Sequence, residues 1–251
     1  MMLKGKVTVI TGAAKGIGKC IAAEFASRGA KPVILDFDEE AGGAFVEELR
    51  KSGADAFFFK TDVTRFEDLQ KAREAAAARY GTVDILVINA GISRKLTIEN
   101  ISVEEWDRVI NINLNGSFYT IKAFWDDFLA KDERHPGKII FISSGSAITG
   151  TGGGCHYAAS KAGQHGLMRA VAKELGPRHV NVNAVAPRVI MTDIFDHLYP
   201  TEESRRELLE KIPIGRFGRP EDVAKMTAFL AGDDAGYVHG QIILVDGGRT
   251  Y

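Results

Sequence analysis

The feature that most constrains the fold is a set of short apolar runs that recur along the chain. They are rich in β-branched residues, and longer alanine- and charge-rich stretches separate them. The runs occupy residues 6–11, 31–36, 56–60, 84–89, 138–143, 180–185 and 241–245. Several are apolar at consecutive positions without alternation, which is typical of parallel strands buried on both faces.

Helical patterns lie between these predicted strands. Ile17, Ile21 and Phe25 recur at intervals of four residues, and residues 39–53, 65–81 and 221–232 also have helical patterns that end at glycine. Strands that alternate with helices form right-handed crossovers. The sequence therefore predicts an α/β fold with a doubly wound parallel sheet of about seven strands and helices on both faces.

Length and composition exclude several classes of protein. No linker, repeat or low-complexity segment divides the 251 residues, so we predict a single domain over residues 1–251. The formal net charge is −1 and no apolar run approaches the ~20 residues of a membrane span, so neither nucleic acid nor membrane is an expected partner. The amino terminus lacks signal-peptide features, and the two cysteines lack metal-site spacing. We expect a soluble cytoplasmic protein without a metal.

A glycine-rich segment, TGAAKGIG at residues 11–18, joins the first predicted strand to the first predicted helix. Gly12, Gly16 and Gly18 allow a tight turn, close approach of a ligand and close packing of helix on strand. The N–H groups at the helix start, where Ile17 lies, favour an anion such as a pyrophosphate. Glycines also make ordinary turns, but this position predicts a dinucleotide-binding site in a Rossmann-type sheet.

The cofactor prediction depends on two charged residues. Asp36 ends the second predicted strand, 18 residues after Gly18. A carboxylate there accepts hydrogen bonds from both adenosine ribose hydroxyls and repels a 2′-phosphate, although a turn or cap residue is the alternative. Lys15, within the loop, could instead bind the extra phosphate of NADP. Because Lys15 is flexible and Asp36 would lie on the ribose itself, we predict NAD.

A tyrosine lies four positions ahead of a lysine in CHYAASK, residues 155–161. Four positions are about one turn of helix, so Tyr157 and Lys161 would project from the same face. A free tyrosine has a pKa near ~10, and a fixed positive charge within a few ångströms favours the phenolate. The pair predicts a phenol that ionises near neutral pH, and an amphipathic pair on a surface helix is the alternative.

Taken in order, these motifs resemble the short-chain dehydrogenase/reductase family over almost the whole chain. The matching segments are TGAAKGIG, TDV at 61–63, NAG at 89–91, NINLNG at 111–116, ISS at 142–144, YAASK at 157–161, NAVAP at 183–187, Thr192 and VDGG at 245–248. The resemblance implies that Tyr157 is the general acid/base. Lys161 would lower the pKa of Tyr157 and hold the nicotinamide ribose.

The resemblance also implies the other site residues. Ser144, 13 residues before Tyr157, would hydrogen-bond the substrate oxygen, with Ser143 as its only rival. Asn113, rather than Asn111 or Asn115, would fix a water in a proton path to Lys161. Further cofactor contacts are expected at the adenine from Asp62 and Val63, below the ribose from Asn89 and Gly91, and at the nicotinamide carboxamide from Ile190 and Thr192.

One position departs from the family pattern. Arg188 follows the NAVAP proline, where the family usually has glycine. Arginine tolerates positive φ poorly, so we expect an ordinary φ at this residue. Its guanidinium could bind a carboxylate, phosphate or sulfonate of the substrate. The alternative is that Arg188 points outward or pairs with Asp193 or Asp196 in the predicted substrate lid, around residues 192–213.

The sequence leaves three functional hypotheses. The first is an NAD-dependent oxidoreductase that interconverts a small polar secondary alcohol, such as a polyol, sugar or hydroxy acid, with its ketone. The second is a reductase of 3-oxoacyl thioesters of acyl carrier protein; Asp36 counts against it, because reductive biosynthesis usually draws on NADPH. The third is a non-catalytic dinucleotide-binding regulator, which the intact Asn113, Ser144, Tyr157 and Lys161 oppose. The closing VDGGRTY segment resembles that of family homotetramers, so we expect a homotetramer.

Overall fold

Seven parallel strands form one sheet in the part of the chain that this computed structural model describes, residues 2–192, 195 and 199–250. Their order across the sheet is β3-β2-β1-β4-β5-β6-β7. The strands are β1 Val7–Thr11, β2 Lys31–Asp36, β3 Phe57–Lys60, β4 Ile85–Ile88, β5 Gly137–Ile142, β6 Val180–Pro187 and β7 Ile242–Val245. The predicted doubly wound parallel sheet is therefore confirmed, with each strand within two residues of its predicted bounds.

Helices cover both faces of the sheet. They are α1 Gly16–Ser27, α2 Glu39–Lys51, α3 Phe66–Tyr80, α4 Val103–Ile110, α5 Gly116–Ala123, α6 Trp125–Leu129, α7 Ser146–Thr149, α8 Gly154–Leu175, α9 Glu202–Leu209 and α10 Pro220–Ala231. A π-helical turn, Asn111–Asn115, joins α4 to α5. The four helices with clear apolar periodicity were predicted; α8, which carries Tyr157 and Lys161, extends much further than the sequence pattern indicated.

Two apolar cores result from the alternation of side chains along each strand. Val9 and Ile10 are adjacent in β1, yet each belongs to a different core. Ile10 packs on the side of α1, α2 and α10, with Phe25 and Phe45. Val9 packs on the side of α3, α5 and α8. Because both faces are buried, the strands need apolar residues at consecutive positions, which explains the unalternating runs.

The sheet order places the site. The chain builds outward from β1 through β2 to β3, then returns to the other side of β1 with β4. The connections after β1 and β4 therefore leave the carboxyl edge of the sheet in opposite directions and open a crevice between them. The glycine-rich loop follows β1, and the NAG segment follows β4, so both predicted cofactor segments border this crevice.

The predicted lid is only partly within the described residues. Residues 193, 194 and 196–198, which include Asp193, Asp196 and His197, lie outside them. In the described part, the ring of Phe195 packs against Tyr199 and Phe217, with centroid distances of 5.3 and 5.0 Å. Helix α9 follows, capped by the Thr201 hydroxyl. That residues 192–213 act as a lid stays a prediction.

Candidate active site

A cavity of about 1290 Å³ lies at the carboxyl edge of the sheet. Segments that follow β1 to β6 line it, together with helices α4 and α8. It brings together eleven of the residues that the sequence predicted: Gly12, Gly16, Ile17, Asp36, Asp62, Val63, Asn89, Gly91, Tyr157, Lys161 and Thr192. Its volume suits a ligand as large as a dinucleotide, since drug-sized ligands fill cavities of about 300–1,000 Å³.

The glycine-rich loop has the backbone geometry that the sequence predicted. Gly12 has φ +64° and lies so close to β4 that a Cβ would be 2.8 Å from Ala90 Cα. At Gly18 a Cβ would lie 2.3 Å from the Gly12 carbonyl oxygen. Among the described residues, no side chain caps the start of α1 by a hydrogen bond. The first N–H groups of this helix are therefore available to an anionic ligand.

Asp36 holds the loop from the neighbouring strand. Its carboxylate accepts hydrogen bonds from Ala14 N at 2.9 Å and Asp38 N at 3.0 Å. Lys15 donates to Asp38 Oδ2 at 2.7 Å, although both side chains are largely exposed. Lys15 thus lies beside a carboxylate, while Asp36 borders the cavity. The sequence had predicted Asp36 and Lys15 as opposing signals but did not reveal the role of Asp38.

The side-chain amide of Asn89 holds the segment after β4 in place. Asn89 Nδ2 donates to the carbonyl oxygens of Thr11 at 3.0 Å and Gly12 at 2.8 Å. A Cβ at Gly91 would lie 3.4 Å from Lys161 Nζ. Asn89 therefore ties the two cofactor segments together, and Gly91 lets the backbone lie close to the ammonium group. Asp62 is used locally, since its Oδ1 accepts from both the N–H and the hydroxyl of Thr64.

Lys161 is a buried cation at the centre of the site. It is 3% exposed, and its Nζ donates to the Ile142 carbonyl oxygen at 2.9 Å. Burial lowers the pKa of Lys161 to about 8. The single carbonyl engages one of its three ammonium protons, and the others remain for groups in the cavity.

Tyr157 departs from the sequence prediction in its acidity. Burial raises the pKa of Tyr157, and a hydrogen bond from the Ser144 hydroxyl partly opposes that shift. Lys161 Nζ lies 5.8 Å from the centre of the tyrosine ring. The expected lowering toward neutral pH is therefore not found in the protein alone, because desolvation outweighs the stabilisation of the phenolate. At neutral pH the phenol is protonated.

The structure distinguishes the two candidate serines. Ser143 Oγ lies 2.7 Å from His165 Nε2, so its hydroxyl is engaged with the buried helix α8. Ser144 Oγ accepts from Ser146 N at 3.1 Å, which leaves its proton available for the Tyr157 side. Ser144 is thus the serine that pairs with Tyr157, although Ser143 is the one that lines the cavity. The predicted hydrogen bond from Ser144 to the substrate oxygen stays a prediction.

Asn113 lies in the π-helical turn and is completely buried. Its side chain exchanges two hydrogen bonds with the backbone of Ile92, at 2.9 and 3.0 Å, and donates to Ser160 Oγ at 3.0 Å. The backbone carbonyl oxygen of Asn113 accepts hydrogen bonds from Ser117 Oγ and Gln164 Nε2. Asn113 therefore fastens the loop after β4 to helix α8. Its predicted role in a proton path stays a prediction.

The loop after β6 contains Arg188, the residue that departs from the family pattern. Arg188 has an ordinary φ, as expected, and the positive φ of 58° falls on Val189. Ile190 is buried and pairs with Gly218, whereas Thr192 lines the cavity. Arg188 Nη2 donates to Thr151 Oγ1 at 2.6 Å. Arg188 is therefore turned toward the turn that precedes α8; Asp193 and Asp196, its alternative partners, lie outside the described residues.

His156, next to Tyr157, faces away from the cavity. It is fully buried, and within the described chain neither ring nitrogen has a hydrogen-bond partner. Burial lowers the pKa of His156, with Glu105 acting in the opposite direction. A Cβ at Gly154 would lie 2.7 Å from its Cε1 atom. His156 is thus a neutral packing residue beneath the first turn of α8.

Known proteins are similar to this chain in sequence and in fold. A family model described as enoyl-(acyl carrier protein) reductase matches residues 12–250. The chain is 40% identical to a 3-oxoacyl-[acyl-carrier-protein] reductase FabG of Thermotoga maritima, covering 99% of each chain. It is 37% identical to the Staphylococcus aureus FabG over 97% of each. The chain belongs to the short-chain dehydrogenase/reductase family.

A solved structure supports the assignment. A short-chain type dehydrogenase/reductase from Mycobacterium ulcerans superposes with a TM-score of 0.93 at 30% identity, over 100% of this chain and 91% of the other. The protein is therefore an oxidoreductase that acts on CH–OH groups and binds a nicotinamide dinucleotide. Along the described residues, no helix is both long enough and apolar enough to cross a membrane.

The two serines generate a matched pair of variants. Ser144→Ala should reduce turnover by about 10²–10³-fold, because it removes a donor to the developing alkoxide. Ser143→Ala should lower the melting temperature by leaving His165 unpaired, with turnover of the folded enzyme close to that of the parent. Tyr157→Phe should lose at least ~10²-fold in turnover while the dinucleotide still binds. Steady-state kinetics, thermal melts and calorimetric cofactor titration measure these effects; a larger kinetic loss in Ser143→Ala would reverse the serine assignment.

His165 predicts a loss of stability in acid. Burial, then Arg169 and Lys161, lowers the pKa of this histidine to about 4, whereas an unfolded chain has a histidine pKa near ~6.5. Between these values the unfolded state binds more protons, so the free energy of unfolding falls as pH decreases, by about 1.4 kcal/mol per pH unit. Above pH ~6.5 the contribution is constant.

Urea denaturation from pH 7 to pH 4 measures this dependence. His165→Gln should reduce the pH dependence of the free energy of unfolding by the contribution of one titrating group. The contribution of the buried His156 should remain. His179→Asn is the control, because this histidine is exposed and asparagine tolerates its positive φ of 57°; the slope should stay unchanged. Equal slopes in the parent and in His165→Gln would show that His165 titrates normally.

Proposed function

We propose that the protein reduces the 3-oxo group of an acyl thioester to the 3-hydroxyl group. The observation that carries this proposal is the full-length similarity to 3-oxoacyl-[acyl-carrier-protein] reductases, at up to 40% identity. The raised pKa of Tyr157 is compatible with this reaction, because a protonated phenol is the form that donates a proton during reduction.

The residues of the site have separate tasks in this reaction. A bound nicotinamide dinucleotide supplies or accepts the hydride. The Ser144 hydroxyl donates a hydrogen bond to the substrate oxygen, and Tyr157 gives its phenolic proton to the alkoxide that develops there. Lys161 holds the ribose side of the dinucleotide with the protons that Ile142 does not engage. The Lys161 charge also stabilises the phenolate that remains after the proton has moved.

The phosphate end of the cofactor fits the loop after β1. The uncapped start of α1 and the tight approach of Gly12 to β4 provide N–H groups and space for a pyrophosphate. Asp62, Val63 and Thr192 border the cavity at the places predicted for adenine and carboxamide contacts. Those contacts, and the water held by Asn113, belong to the proposal.

A second candidate is the NAD-dependent oxidation of a small polar alcohol, such as a polyol, sugar or hydroxy acid, or reduction of its ketone. Two observations favour it. The Asp36 carboxylate borders the cavity and is oriented by two backbone N–H groups, a placement that disfavours a 2′-phosphate. Arg188 lies where the family usually has glycine, and its guanidinium donates to Thr151. A guanidinium in this loop could bind an acidic group of a small polar substrate. A non-catalytic regulator is disfavoured, because Ser144 and Tyr157 are already paired.

A matrix of substrates and cofactors tests both candidates. We expect reduction of acetoacetyl-N-acetylcysteamine, a small 3-oxoacyl thioester, and a higher kcat/KM with NADH than with NADPH because of Asp36. Asp36→Ala should narrow the cofactor ratio, since the repulsion disappears while Lys15 remains. It should also weaken binding of both cofactors, since Ala14 N and Asp38 N lose their acceptor. Initial rates at 340 nm measure each combination.

The control for cofactor choice is Glu39→Gln, which removes an exposed charge beside Lys60 without touching the loop. Its cofactor ratio should equal that of the parent. Turnover of polyols or hydroxy acids without turnover of the thioester would replace the first candidate with the second. A parent enzyme that prefers NADPH would contradict the proposed role of Asp36.

We also propose a homotetramer with two-fold symmetry, while a cytoplasmic location stays a prediction. Apolar residues on the connected helices α4 and α5, Val103, Trp106 and Phe118, are exposed in the single chain. Closed symmetric assembly would bury such residues. Light scattering should give a mass near four times the 27.3 kDa of one chain, and Phe118→Asp should shift it downward. A mass of one chain at micromolar concentration would contradict the proposal.

A further inference from the structure

Two arginines from distant parts of the chain lie near each other, and one of them, Arg188, packs beside the backbone that follows Ser144. Arg188 follows β6, and Arg249 lies in the turn after β7. The aliphatic part of Arg188 lies directly on the backbone after Ser144, since a Cβ at Gly145 would be 3.0 Å from Arg188 Cδ. Arg249 is close enough to lower the pKa of Arg188, in addition to the effect of burial. The sequence had drawn attention to Arg188 alone.

The polar partners of Arg188 are neutral hydroxyl groups. Its Nη2 donates to Thr151 Oγ1 at 2.6 Å, and its Nη1 lies 3.4 Å from Thr250 Oγ1. Arg249 Nε is buried, and no atom of the described residues accepts a hydrogen bond from it. Buried guanidinium nitrogens normally have an acceptor, and a carboxylate or phosphate is the strongest one available.

The carboxylate of Asp246 does not fill this need. Its two oxygens accept from the backbone N–H groups of Gly248 and Thr250, at 3.0 and 2.9 Å, and so hold the turn that carries Arg249. Asp246 acts on Arg188 only through its charge. In the described part of the chain neither guanidinium makes an ion pair. Among the described residues, the two guanidinium charges therefore exceed the one carboxylate charge, that of Asp246, which acts on Arg188.

We propose that Arg188 and Arg249 together bind an anionic group of the substrate, a carboxylate or a phosphate, close to the carbon that reacts at Ser144 and Tyr157. The fork geometry of a guanidinium matches both groups. The substrate class is then an oxo or hydroxy compound with an acid group a few atoms from the reacting carbon. This inference rests on the proposed alcohol–ketone oxidoreduction and favours its second candidate, because the phosphate of a carrier-bound thioester is much further from the 3-oxo group.

The experiment compares pairs of related ketones, one member of each pair being anionic and the other neutral. Acetoacetate and its methyl ester form one pair, and dihydroxyacetone phosphate and dihydroxyacetone form the other. Arg188→Gln and Arg249→Gln should each reduce kcat/KM for the anionic member by about 10–100-fold, the loss expected for a charged hydrogen bond. The neutral member should be almost unaffected. Whichever anionic ketone the parent prefers identifies the group as carboxylate or phosphate.

Two controls separate this role from a structural one. Arg178→Gln changes an exposed arginine just before the opposite end of β6 and should leave all rates unchanged. Arg188→Lys keeps the positive charge and should recover part of the preference for the anion, which also covers the case in which Arg188→Gln fails to fold. Equal losses for the charged and neutral ketones would overturn the proposal and assign both arginines to loop structure.

Calorimetric titration with acetoacetate and dihydroxyacetone phosphate distinguishes failure of this inference from failure of the proposed reaction. If the parent reduces no ketone, the oxidoreductase proposal fails for these substrates, but weaker anion binding by Arg188→Gln and Arg249→Gln would still support the site. If the parent reduces the neutral ketones yet shows neither preference for nor binding of the anions, the arginine site is wrong and the reaction stands.

Discussion

The position of the switch between β1 and β4 determines most of what this molecule can do. In a parallel sheet all the loops that follow strands emerge at one edge, and they diverge only where the winding direction reverses. Here the glycine-rich loop and the Asn89–Gly91 segment diverge at that point, tied together by the Asn89 amide. The loop proposed to bind phosphate and the Tyr157–Lys161 pair therefore border the same cavity.

A buried ammonium group must then be kept in place beside this opening. An isolated cation in a protein interior costs several kcal/mol unless polar groups surround it. Lys161 meets that requirement with one carbonyl oxygen and with the access to the cavity that Gly91 allows. Asn113 fastens the adjacent loop to α8 through Ser160, so the surroundings of the ammonium cannot easily relax. The lowered pKa of Lys161 and the raised pKa of Tyr157 have the same origin, since burial disfavours the charged form of each.

The sequence predicted the strands well because burial on both faces favours apolar residues at consecutive positions, and the short length of these runs and their β-branched residues distinguish them from helices. It also located the loop, Asp36 and the Tyr157–Lys161 pair, where a residue type is tied to local backbone geometry. It could not predict the acidity of Tyr157, which depends on desolvation by distant elements. Nor could it indicate the Ser143–His165 contact or the meeting of Arg188 with Arg249, because residues far apart in sequence create them. Asp38 beside Lys15 was closer in sequence, but its geometry depends on the turn after β2.

Val189, the residue after Arg188, has a strained backbone conformation. A β-branched residue with φ 58° is strained by about 1–3 kcal/mol, and it persists because the segment is bonded on both sides, from Arg188 N to Val245 O and from Gly218 N to Val189 O. The unfavourable conformation of Val189 and the side chain of Arg188, which we propose binds the substrate, therefore occupy adjacent positions. A change at either residue alters the backbone on which the other depends, so the effects of substitutions at residues 188 and 189 on stability should not be additive.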